Sequence, residues 1–146
     1  MENLVIENGI VKDGKKCKGE IRIPEGVTEI ANQAFYQNKE ITGIYLPDGV
    51  KKIGKYTVNG CEKLEYIRVP ESVESIGESG LVKKFESNCS FDHTISSKEI
   101  YPKICCKKDS YVAGMLEGLL EKKNSIASHS VTYVIELEYE DETNVM

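Results

Sequence analysis

Apolar positions along this chain recur with a fixed step. Ile23, Leu46 and Val69 each stand before a proline (Pro24, Pro47, Pro70), and successive prolines are 23 residues apart. The same step carries Val27 to Val50 to Val73 and Ile30 to Ile53 to Ile76. It also carries Ala34 to Thr57 to Gly80, and Phe35 to Val58 to Leu81. A period of this size marks stacked repeats, each with an apolar side that only its neighbours can cover. The repeats fall at 21–43, 44–66 and 67–89, the third losing the pattern after Val82.

Each repeat opens with a short strand whose alternate residues face one way: Ile21 and Ile23, Ile44 and Leu46, Ile67 and Val69. The proline that follows ends the strand's hydrogen bonding. A turn (Glu25-Gly26, Asp48-Gly49, Glu71-Ser72) leads to a second extended piece carrying the Val and Ile columns. After it, Asn32 to Asn38 is expected to form one helical turn with Ala34 and Phe35 inward. The small column Ala34, Thr57, Gly80 suits a close approach between repeats.

The flanks read differently. Leu4 to Val11 with Asn8-Gly9 at its centre predicts a β-hairpin, since Asn-Gly takes the positive φ angles of a type I′ turn. Asp13-Gly14 offers a second turn before Cys17. Residues 1–20 are thus expected to cap the stack. From Lys83 to Ser97 the pattern is polar, with His93, Ser96 and Glu99 where Pro, Val and Ile would stand, and a degenerate coil or loop is expected there. Ile100 to Cys106 reads as one more strand continuing the stack. A helix over about 109–123 is predicted, capped by Asp109 or Ser110 and stopped near Asn124. Val112, Met115, Leu116, Leu119 and Leu120 share one of its faces, and Gly114 and Gly118 mark expected close packing. A half-buried strand follows at about 131–139, with Val131, Tyr133, Ile135, Leu137 and Tyr139 on one face and glutamates on the other. Frayed backbone is expected over 140–146. The whole chain, 1–146, is expected to form one domain, with 90–146 as its C-terminal part.

The pattern I-x-I-P-x-x-V-x-x-I-x-x-x-A-F-x-x-N/C, clearest over Ile21 to Asn38 and again over Leu64 to Gly77, resembles the BspA-type leucine-rich repeat. The opening Val5 to Ile10 resembles the lead-in hairpin of such repeats, and the run from Lys108 to Val112 resembles their closing strand-helix-strand piece. The resemblance implies an α+β repeat fold: a short, strand-rich, right-handed solenoid with an N-terminal hairpin cap and a C-terminal strand-helix-strand cap. The family's Cys column is kept at Cys61 but reads Asn38 in the first repeat.

Composition narrows the function classes. A net charge of −5, with lysines in scattered doublets, gives no basic patch for nucleic acid. No apolar run is long enough to span a membrane, and Met1-Glu2-Asn3 lacks a basic leader, so a cytoplasmic location is expected. By family analogy the cell surface is the alternative, with an adhesion-type role and an export signal outside this chain. The five cysteines (Cys17, Cys61, Cys89, Cys105, Cys106) are odd in number and irregularly spaced, as free thiols are. His93 and His129 fit no catalytic triad or metal-ligand spacing, and Cys105-Cys106 lacks the spacing of a redox or zinc pair. Asn88-Cys89-Ser90 is formally a glycosylation sequon. No enzyme, metal or cofactor is expected, a thiol-dependent enzyme being the least favoured reading.

The outward side of the strand ladder remains. The 23-residue step places Arg22, Tyr45 and Arg68 in one column, with Gly43 and Tyr66 beside them. The chain has two arginines, and both fall in that column. Arg and Tyr bring large contact area with directional hydrogen bonding, and they are enriched at binding hot spots. Glu25, Asp48 and Glu71 form a flanking acidic column. The expected function is a non-enzymatic protein-interaction module that binds an unidentified protein or peptide through Arg22, Tyr45, Tyr66 and Arg68. Self-association through an end of a short stack is a further expectation.

Overall fold

The computed structural model describes residues 4–89, 95–121 and 129–140; His93, Ser90, Asn124 and 141–146, singled out above, lie outside them. Each repeat contributes one strand to each of two ladders. The first runs β1 (Val5–Glu7), β2 (Ile10–Asp13), β4 (Glu29–Ile30), β6 (Lys52–Ile53) and β8 (Ser75–Ile76). The second runs β13 (Leu137–Tyr139), β11 (Lys103–Cys106), β7 (Tyr66–Arg68), β5 (Ile41–Tyr45) and β3 (Gly19–Arg22). Apart from the antiparallel β1–β2 hairpin, every pairing in these two sheets is parallel, and equivalent repeat positions lie opposite one another: Ile30 with Ile53, Ile53 with Ile76, Ile44 with Ile67. Ile21, Ile23, Val27, Ile30, Ala34 and Phe35 of the first repeat are all buried, as are their mates Ile44, Leu46, Val50, Ile53, Thr57 and Val58. The column pattern therefore describes a shared interior.

The hairpin turn takes the expected form, with Asn8 at φ 53° and Gly9 at φ 78°. Asp13 accepts from the Lys15 amide at 2.8 Å in the second turn. The helical turn expected over 32–38 is instead a run of tight turns. Gln33 and Gln37 both have φ 57°, which no right-handed helix accommodates. Tyr56 and Ser79, one and two repeats after Gln33, share its left-handed backbone at φ 52°. Backbone bonds between repeats hold three of them there: the Gln33 amide donates to the Lys55 carbonyl at 2.9 Å, Gln37 to Asn59 at 2.7 Å and Tyr56 to Glu78 at 3.0 Å. The close approach expected at Gly80 is present, since an added Cβ would stand 2.7 Å from the Gly54 carbonyl oxygen. Gly54 and Gly77 are equally confined, each against backbone of the preceding repeat.

The stretch after Val82 differs from the expected loop. Lys84–Cys89 (β9) and Ile95–Ile100 (β10) pair as an antiparallel hairpin, and His129–Val134 (β12) adds to β10 in parallel, forming a third sheet. The ladder then resumes: Lys103 lies opposite Tyr66, an offset of 37 residues against 23 between Gly43 and Tyr66. A 14-residue insertion thus interrupts the pattern before β11 restores it. The helix α1 (Tyr111–Glu121) follows, with Ser110 Oγ accepting from the Ala113 amide at 3.3 Å as its cap. Val112, Ala113 and Leu116 are buried against the core, but Gly114 and Gly118 have open space where a Cβ would stand, so they do not mark close packing. The single strand expected over 131–139 is divided. His129–Val134 pairs with the inserted hairpin and Leu137–Tyr139 with β11, because the two halves complete different sheets. Tyr139 is consequently exposed, its hydroxyl donating to Glu117.

Candidate functional site

The strands β3, β5 and β7 place their odd and even residues on opposite faces, so burying Ile21, Ile44 and Ile67 turns Arg22, Tyr45 and Arg68 outward. Register puts Arg22 opposite Tyr45, and Tyr45 opposite Arg68. The Arg22 guanidinium carbon lies 4.4 Å from the centroid of the Tyr45 ring, a cation–π contact. Tyr45 meets Tyr66 edge to face, with ring centroids 5.4 Å apart and planes at 70°.

Gly43 makes that arrangement possible. Tyr66 is opposite Gly43 and lies across it; a Cβ on Gly43 would come 2.3 Å from the Tyr66 ring. The Tyr66 phenol is pushed well above its usual range, first by desolvation and then by hydrogen bonding to Glu20 and Tyr45. It stays protonated and able to donate. Arg22, Tyr45 and Tyr66 therefore form one contiguous group, as the column spacing implied.

Arg68 behaves differently. Its Nε donates to Glu140 at 3.2 Å, its Nη1 to the Leu46 carbonyl at 2.9 Å, and its Nη2 lies 3.1 Å from Asp48. These contacts hold the segment after β13 and the turn after β5 to the ladder. Of the acidic column, Asp48 pairs with Arg68 and Glu71 with Lys107 at 3.3 Å. An open cleft of about 480 Å³ runs along the C-terminal ends of the strands, lined by Arg22, Pro24, Glu25, Tyr45, Pro47 and Arg68 among others.

Burial raises the four thiols the structure describes. Cys17, Cys61 and Cys106 are buried and Cys105 is half-buried, all free. Burial pushes the Cys61 thiol up to about 11, against the lowering that activates a cysteine. Its Sγ donates to the Phe35 carbonyl at 3.0 Å. At the equivalent place, Asn38 is buried and makes four bonds. It donates to the carbonyls of Gly14 and Cys17 at 2.9 and 2.8 Å, and accepts from the amides of Glu40 and Ile41 at 2.9 and 3.1 Å. The departure from the cysteine column is thus a polar lock between the N-terminal segment and the first repeat.

A family model for the BspA type leucine rich repeat region, in 6 copies, matches residues 12–103. The chain belongs to the BspA-type leucine-rich repeat family. Its match spans β2 through the start of β11, and so includes the inserted hairpin as well as the three regular repeats. No curated protein and no solved structure matches the chain. Among the described residues, no helix is long and apolar enough to cross a membrane.

Proposed function

We propose that this BspA-type chain is a non-enzymatic protein-interaction module, a short right-handed solenoid over 1–146 closed by its hairpin and by the strand-helix-strand segment, with the outward face of the β3–β5–β7 ladder as its binding surface. One observation carries the proposal: an exposed arginine stacked on one tyrosine, itself packed edge to face on a second, all held on a rigid sheet. Preformed aromatic and arginine anchors lose little conformational freedom on binding, which is what concentrates binding energy at such groups. Arg22, Tyr45 and Tyr66 contact the partner; Arg68 positions the C-terminal segment beside them. The raised thiols favour a structural over a catalytic role for the cysteines.

The test is affinity capture from native lysate with the wild type and an Arg22→Ala/Tyr45→Ala/Tyr66→Ala variant shown to be folded by circular dichroism. A partner retained by the wild type is expected to be lost by the variant, since truncating hot-spot residues costs about 2 kcal/mol or more each. Equal recovery from both would refute the choice of face.

A further inference from the structure

The second ladder ends at β3, which pairs with β5 alone among the described residues. The amides of Gly19 and Ile23 donate to the Glu40 and Tyr45 carbonyls, at 2.9 Å in each case. Successive peptide groups of a strand point to opposite sides, so the N–H and C=O groups of Glu20 and Arg22 point away from β5 into the open edge. Such an edge is a template for another strand.

The far side of the same sheet shows what the arginine column accepts. Arg68, in register with Arg22 through Tyr45, binds the carboxylate of Glu140, which directly follows β13 and donates its own amide to the Cys106 carbonyl at 2.8 Å. Arg22 repeats that position. It is exposed, rests on the Tyr45 ring, and has no ion pair among the described residues. A guanidinium stacked on a ring keeps its N–H edges free, and those edges match a carboxylate in a two-bond fork. Glu20, the acid on the same strand, contributes to the raised Tyr66 phenol and makes no ion pair with Arg22 among the described residues.

We infer that β3 is a docking edge for an extended acidic segment of a partner protein, which adds a strand beside Glu20 and Arg22 and sets a Glu or Asp carboxylate on the Arg22 guanidinium. Resting on the interaction reading above, this narrows the partner to one that presents an acidic strand.

Fluorescence anisotropy with the full chain and a short labelled peptide alternating Val and Glu provides the test. Peptides of the same length alternating Val with Gln or with Lys serve as controls. The acidic peptide is expected to bind at least about tenfold more tightly than either control, and Arg22→Gln to remove about tenfold of that affinity. Salt should weaken the binding. N-methylating the acidic peptide on one alternate set of residues should abolish binding, and methylating the other set should spare it, because a strand pairs through one edge. Equal binding of all three peptides overturns the inference. So does unchanged affinity in Arg22→Gln, or indifference to both methylation patterns. In sedimentation velocity of the chain alone, self-association that is lost in Glu138→Gln/Glu140→Gln would assign the edge to a second copy and overturn the partner reading. Lysate capture that depends on Tyr45 and Tyr66, together with no binding of the acidic peptide, would sink the edge and leave the ladder face standing.

Discussion

Replacing Asn38 with Ala removes a side chain that is 2% exposed and takes four hydrogen bonds with it. Two of the groups left behind are carbonyls of the N-terminal segment, Gly14 and Cys17, and two are the amides of Glu40, just before β5, and of Ile41, its first residue. Each bond contributes about 1 kcal/mol net, and a buried group left unpaired costs about as much again where water cannot reach it. The substitution should therefore destabilise the fold by about 3–5 kcal/mol. Urea denaturation should show the loss as a lower midpoint at unchanged slope. In a thermal scan it should appear as a melting temperature lower by roughly 10 °C, taking about 3 °C per kcal/mol at this chain size. Hydrogen exchange should report faster exchange at the Glu40 and Ile41 amides. Asn38→Cys, which restores the family's usual residue, should recover little, because a thiol cannot donate to two carbonyls and accept from two amides. A loss below about 1 kcal/mol in Asn38→Ala, or full stability in Asn38→Cys, would refute the assignment of Asn38 as a lock.

Phe35→Ala empties a buried site in contact with Gly14, where an added Cβ would stand 2.2 Å from the ring; the expected cost is about 3–5 kcal/mol by urea denaturation. Gly43→Ala should drive Tyr66 off the ladder, lowering stability by about 1–3 kcal/mol and altering the near-ultraviolet circular dichroism of the tyrosine pair. The folded chain holds the Cys61 proton up to about pH 11, whereas an unfolded thiol releases it near 9. Stability should then be fully present below about pH 9 and decline as pH rises toward 11, by at most about 2–3 kcal/mol from this group. Cys61→Ala should flatten that decline measurably; an identical pH profile in the two proteins would contradict the assignment.

Much of the ladder was legible because a 23-residue step in hydrophobic type is a direct image of stacking: equivalent residues lie opposite one another, so they share one environment. The same logic located Arg22, Tyr45 and Arg68 on one face and Tyr66 beside them. Other features had no such image. The left-handed residues Gln33, Tyr56 and Ser79 keep the period in backbone conformation but not in residue type; at Gln33 and Tyr56, bonds between repeats hold a conformation that glycine would otherwise supply. Ala31, Gly54 and Gly77 also form a spaced column, and that signal could have located the second close approach between repeats. The inserted hairpin was hidden because its polar residues face no shared core, and a fixed period read across it falls out of phase by 14 residues.

By itself, then, the sequence determined the repeat, its inward columns, the opening hairpin and the helix, since each depends on local conformation or on a periodic apolar contact. The tertiary structure alone decided that Arg68, on the same outward face, is engaged by Asp48 and Glu140 while Arg22 stays open. The two arginines are equivalent by spacing, and they differ because a C-terminal strand borders one end of the ladder and none borders the other among the described residues. That contact joins Arg68 to Glu140, 72 residues away, and a long-range pairing of this kind leaves no trace in local pattern.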